Sequence, residues 1–219
     1  MTWMRVFSRI AVLTAALTLG NFVEADEHKV HVRMTTVLGP IELEINAKAA
    51  PITAGNFLRL VDGQHLDGGS FYRTVSPDND NGSPHISVIQ GGMGDAERPF
   101  APIGHESTDD TGLKHFNGAI SMARGPVGSA ATEFFICIGD QPALDAGGKR
   151  NSDGRGFAAF GRVITGMDVV EAIHRQPSDA PTESAYVVGQ ILEAPVVIES
   201  VRRVAWPDGQ TGVTLNTDP

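Results

Sequence analysis

Glu133-Phe134-Phe135-Ile136-Cys137-Ile138-Gly139 is a strand-like run whose two adjacent phenylalanines must take opposite sides, because successive side chains of a β-strand point to opposite faces. One of the pair can therefore be buried in a core while its neighbour is left for a site. Cys137, the only cysteine of the chain, stands among apolar residues with no basic neighbour to lower its pKa. It reads as a small buried hydrophobe, and it cannot form an intramolecular disulfide. Outward from this run, Phe71-Tyr72-Arg73-Thr74-Val75 and Val88-Ile89-Gln90-Gly91-Gly92 are two further strand-like segments, each with one long polar side chain, Arg73 and Gln90, at its centre. Either residue alone would be an ordinary surface arginine or strand amide. The three runs thus set Arg73, Gln90 and one of the two phenylalanines inside strand-like segments.

The remainder of the chain is rich in turns. His31 to Val37 and Pro40 to Ile45 alternate apolar and polar residues on either side of Gly39, the pattern of an antiparallel hairpin. From about Ala50 to Asp62, a proline at the first turn, Pro51, precedes Ile52, Phe57, Leu58, Leu60 and Val61 at helical spacing, and Gly63 offers a stop. A second, shorter helix is predicted over Gly166–His174, ending before Pro177, and a final strand from about Val196 to Val204. About eight short strands and two helices describe an all-β architecture whose sheet edges must be closed or covered. There is no internal repeat and no long linker, so residues 29–204 read as one domain. Residues 205–219 read as a polar tail.

Composition bounds the function. With 25 glycines and 13 prolines the chain favours turns over long helices. Its net charge of −9 excludes a general nucleic-acid binder, which needs a basic face for phosphates. At the start, Arg5 and Arg9 precede an apolar run from Ile10 to Leu19, and Val23-Glu24-Ala25 sets short side chains at a cleavage site. The run is shorter than the ~20 residues of a spanning helix. Residues 1–25 are therefore expected to be a secretory signal peptide cut after Ala25, with an uncleaved anchor as the alternative, and the mature protein is expected in the periplasm or outside the cell without stable membrane insertion.

The three runs, together with Ile120-Ser121-Met122-Ala123 and Ala159-Phe160-Gly161-Arg162-Val163, resemble the cyclophilin family of peptidyl-prolyl cis-trans isomerases from about Lys29 to about Val204. The resemblance implies a closed eight-stranded antiparallel barrel capped by two α-helices. It implies catalytic roles for Arg73, as donor to the twisting amide, and for Gln90, as the residue that orients it. It also implies a proline pocket walled by Phe135 and Leu144, with Met122, Ala123 and Arg124 offering backbone to an extended peptide, and Val88 and Phe157 at neighbouring positions. Phe157 stands where the family often carries His or Tyr. Partners would be proline-containing polypeptides, bound by a monomer with no cofactor and no metal.

The departures from the family pattern are local. A long polar loop, Ser76 to Ile86, follows the Phe71–Val75 run, and Ser87 and Val88 occupy positions where the family has phenylalanine and methionine. Loss of that phenylalanine is expected to remove one wall of the pocket. Ala143 stands where many members have an aromatic residue that grips cyclosporin, and a glycine-rich insertion runs from Ala146 to Gly156. These changes leave open a noncatalytic peptide-binding or holdase module on the same fold. Asp78-Asn79-Asp80-Asn81-Gly82 looks like the start of a calcium loop, but its glycine falls one position early and Ile89 stands where the closing Glu belongs, so a turn is expected.

Overall fold

In the computed structural model, which describes residues 28–206, Gly39 opens the second strand of a hairpin between β1 (Lys29–Thr36) and β2 (Gly39–Asn46). Its φ of 133° suits a residue without a side chain, and the Thr36 hydroxyl ties the turn by donating to the Gly39 carbonyl at 2.8 Å. The leader, residues 1–25, and residues 207–219 of the tail lie outside the described residues. The remaining strands are β3 (Ser70–Val75), β4 (Val88–Gly92), β5 (Ala119–Met122), β6 (Phe134–Cys137), β7 (Ala158–Thr165) and β8 (Ile191–Arg203). All pair antiparallel, in the order β1-β2-β7-β5-β6-β4-β3-β8, and β8 closes the barrel by pairing with both β1 and β3. Closure leaves no unpaired sheet edge, the all-β solution expected from the turn-rich pattern.

The inward side chains form the core, among them Val32, Met34, Ile41, Leu43, Phe71, Ile89, Ile120, Phe134, Ile136 and Phe160. Helix α1 (Pro51–Asp62) covers one opening of the barrel with Ala54, Phe57, Leu58, Leu60 and Val61, and the Phe57 ring meets Phe134 edge-on at 5.7 Å. Ala50, at its N-cap, has no side chain to satisfy the first free N–H groups. Glu106 does so from a distant loop, accepting from Ile52 and Thr53 at 3.1 and 2.7 Å, where a negative charge also suits the helix dipole. Helix α3 (Met167–His174) buries Val169, Val170 and Ile173. Between them lies a one-turn helix, α2 (Thr108–Thr111), which the periodicity does not announce: it is too short for an apolar stripe and rests on a capping box between Ser107 and Asp110.

The last strand begins at Ile191, five residues before the expected Val196. Pro195 lies where the register against β3 jumps, from Phe71↔Val196 to Arg73↔Ile191, and a residue without an N–H is tolerated at such an irregularity. The jump sets Gln190 and Ile191 beside Arg73.

Candidate active site

Strand register brings the three singled-out residues into one row. Arg73 on β3 pairs with Gln90 on β4, and Gln90 pairs with Phe135 on β6. Because Phe134 points into the barrel, Phe135 points outward. There it joins a second apolar cluster with Val75, Ile86, Val88, Ala119, Cys137 and Leu144. Burial pushes the Cys137 thiol well up, as suits an inert side chain.

A cavity of about 460 Å³ opens over this row. Its apolar floor consists of Phe135, Leu144, Val88, Ile86, Ala123 and Phe157, and Arg73 and Gln90 edge its polar side. Phe135 is held on both faces of its position: His115 stacks on it with ring centroids 5.9 Å apart and planes 14° from parallel, and Phe157 meets it edge-on at 5.3 Å. His115 is itself buried, with Nδ1 2.7 Å from the Asp145 carboxylate and Nε2 3.0 Å from the Ser121 hydroxyl. Burial lowers its pKa against the opposing pull of Asp145.

The polar side is a directed chain of hydrogen bonds. Arg73 donates from Nη1 to Gln90 Oε1 at 2.8 Å, Gln90 donates from Nε2 to the Tyr72 hydroxyl at 2.8 Å, and Tyr72 donates to Glu133 at 2.8 Å. The other Glu133 oxygen accepts from the backbone of Met93 and Gly94. Burial raises the pKa of both Tyr72 and Glu133 and works against the charge of Arg73. On its other edge Arg73 donates from Nε and Nη2 to Gln190 Oε1, at 2.9 and 2.6 Å.

Loop residues complete the wall. Asp80, in the 76–86 loop, receives both terminal nitrogens of Arg150, from the 146–156 insertion, at 2.7 and 2.8 Å, and the backbone N–H groups of Gly82 and Ile86 at 2.9 Å each. Burial would raise the Asp80 carboxyl, but these four bonds outweigh it and hold its pKa below the ordinary value. Arg150 Nη2 also donates to the Tyr186 hydroxyl at 3.1 Å, and the Tyr186 ring centroid stands 5.4 Å from the guanidinium carbon of Arg73. Tyr186, Arg150, Ile86 and Gln190 were not singled out from sequence. They lie in aperiodic segments, where no repeat reveals which side chains turn inward.

Two expectations are corrected. Met122 does not line the cavity: its side chain is buried in the barrel core and its backbone lies between Phe134 and Ala158, since β5 is paired on both sides. The wall expected to be missing at Ser87 is filled, because Asp80 pins the N–H of Ile86 and Ile86 lines the cavity, while the Ser87 hydroxyl faces His174 on α3 at 3.2 Å. Arg124 borders the cavity with its guanidinium occupied: it clasps Asp153 at 2.7 and 2.9 Å and lies over Phe157 at 5.3 Å. Arg124 brings the Asp153 pKa down to about 2.

Comparison with known proteins agrees with this geometry. The family model described as Cyclophilin type peptidyl-prolyl cis-trans isomerase/CLD matches residues 31–202. Peptidyl-prolyl cis-trans isomerase A of Dickeya dadantii is 32% identical over 199 residues, 88% of this chain and 95% of its own length. Peptidyl-prolyl cis-trans isomerase cyp18 of Streptomyces antibioticus is 37% identical over 172 residues, 78% of this chain and 96% of its own length. Among solved structures, a cyclophilin type peptidyl-prolyl cis-trans isomerase of Cryptosporidium parvum superposes with a TM-score of 0.62 at 19% identity, covering 82% of this chain and 99% of that one. At that identity it speaks for the fold alone.

Proposed function

The chain belongs to the cyclophilin-type peptidyl-prolyl cis-trans isomerase family and is an isomerase of X–Pro bonds, and we propose that Arg73 is its catalytic donor, with the proline ring seated on Phe135. Rotation about an X–Pro bond is opposed by an amide-resonance barrier of ~18–20 kcal/mol and takes tens of seconds or more unaided. No covalent bond breaks. The enzyme has only to hold the ring while the preceding carbonyl swings, and to favour the twisted state, in which the prolyl nitrogen loses its conjugation and becomes a better acceptor.

The observation that carries this reading is the single row across β3, β4 and β6 in which Arg73, Gln90 and Phe135 are register partners. The row sets a cation beside an apolar floor, with Leu144, Val88 and Phe157 as further walls. A guanidinium presents several N–H groups in one plane and stays charged, so it can address the peptide carbonyl and the prolyl nitrogen together. A structure of the Cryptosporidium parvum relative was obtained in the presence of the dipeptide Ala-Pro.

The natural substrates in this reading are proline-containing segments of folding polypeptides outside the cytosol, met by a monomer. Export is supported by the charged start and short apolar run of residues 1–25. Protein purified from its native host should begin at or near Asp26; a full-length cytosolic form as the main species would overturn export. The catalytic assignment is tested by a protease-coupled or NMR-exchange assay on a Xaa-Pro peptide. Arg73→Ala should lower kcat/KM by roughly 10²–10³, the effect of losing one transition-state donor. Arg73→Lys should restore little, because an ammonium lacks the planar fork. A folded Arg73→Ala protein with near wild-type turnover would make Arg73 structural.

A further inference from the structure

We infer that Gln190 is a positioning residue for the reaction: it fixes the Arg73 guanidinium from the edge opposite Gln90 and does so without neutralising its charge. The inference rests on the reading of Arg73 as the donor. Gln190 is fully buried and does not line the cavity, so it acts on substrate only through another group. Its amide orientation is set from behind, since Nε2 donates to the Asn79 carbonyl at 2.7 Å and leaves Oε1 facing Arg73, where it accepts from Nε and Nη2. Its backbone carbonyl accepts from Thr74 N–H at 2.9 Å, which ties the start of β8 to the strand that carries Arg73.

Two consequences follow from donor counting and charge. A guanidinium has five N–H groups. Gln190 takes one from Nε and one from Nη2, and Gln90 takes one from Nη1, which leaves one N–H on each terminal nitrogen to be divided between the Tyr186 side chain and the substrate. Two other cations of the cavity lining, Arg124 and Arg150, are each clasped by a carboxylate, Asp153 and Asp80. Arg73 is clasped by two neutral amides. It is therefore oriented from both edges without a carboxylate partner, and its positive charge is left for the prolyl nitrogen.

The test measures kcat and KM on a Xaa-Pro peptide for Gln190→Leu and Gln190→Glu, each in the wild-type and in the Arg73→Ala background. The leucine removes the clamp, and the glutamate keeps an acceptor but adds the countercharge. Both should lower kcat/KM about tenfold, chiefly through kcat with KM within about twofold, because the lost interaction belongs to the transition state. Neither should lower the residual activity of Arg73→Ala further, since the effect passes through Arg73. Wild-type rates in both variants, or the same fractional loss in the Arg73→Ala background, would overturn the inference. Wild-type activity in Arg73→Ala itself would instead overturn the donor assignment on which it rests. Should neither variant fold, the ¹⁵N-resolved Nε–H of Arg73 in the wild-type protein decides: slow exchange with water at neutral pH supports the clamp, and exchange as fast as that of a free guanidinium overturns it.

Discussion

Replacing Asp80 by alanine tests whether the inserted loops hold the site together or merely decorate it. Asp80 and Arg150 have side chains 0% and 3% exposed, and they join loops 70 residues apart in sequence. Removing one member of such a buried pair costs roughly 3–5 kcal/mol, most of it from leaving the other charge without its partner. Two features place this case at the lower end. Arg150 keeps two acceptors, the Pro84 carbonyl at 2.9 Å and the Tyr186 hydroxyl at 3.1 Å, and a loop can open locally to let the cation reach water. The expected loss is about 3 kcal/mol, measured by urea unfolding at neutral pH. Activity should fall on the order of tenfold, because the N–H of Ile86 loses its acceptor and a wall of the cavity loosens. The double variant Asp80→Leu with Arg150→Met should recover most of the stability, since a buried ion pair replaced as a pair by apolar groups is often neutral. A single Asp80→Ala variant within about 0.5 kcal/mol of wild type and with unchanged kcat/KM would refute the clamp.

Two further outcomes follow from the Phe135 pocket. His115 has its pKa lowered by burial, so the unfolded chain takes up a proton near pH 6.5 that the native state resists. That contribution to stability is complete above about pH 6.5 and is lost as pH falls through the folded pKa, at no more than about 1.4 kcal/mol per pH unit; urea midpoints from pH 7.5 to 5 should show it, and His115→Gln should flatten the slope. Phe135→Ala removes a ring that is 5% exposed and packed against His115 and Phe157. It should cost about 3 kcal/mol and raise KM more than it lowers kcat, and an unchanged KM in the folded variant would remove Phe135 from the proline floor.

The barrel and the heart of the site are legible in short-range pattern because both depend on strand alternation. Phe134 and Phe135 must part to opposite faces whatever surrounds them, and the same period of two sets Gln90 on the face opposite core-facing Ile89, whereas Arg73, two residues after core-facing Phe71, joins Gln90 only because the register slips between Phe71 and Arg73. The hairpin at Gly39 and the helix from Pro51 are written equally locally, in a turn residue, a first-turn proline and a 3.6-residue stripe. Met122 is expected to offer backbone to a peptide, but whether a strand's backbone is free depends on its neighbours in the sheet, and β5 is paired on both sides. The loops carry no period at all. Whether Ile86 or Ser87 faces the cavity is settled by a carboxylate six residues before Ile86 and an imidazole on α3. Gln190 reaches Arg73 across 117 residues because the break at Pro195 shifts β8, and Arg150 finds Asp80 because the 76–86 loop and the 146–156 insertion meet beside the cavity. Alternation is a property of the backbone and can be read from the chain one strand at a time; these contacts exist only after the barrel has closed and brought distant, aperiodic segments against one another.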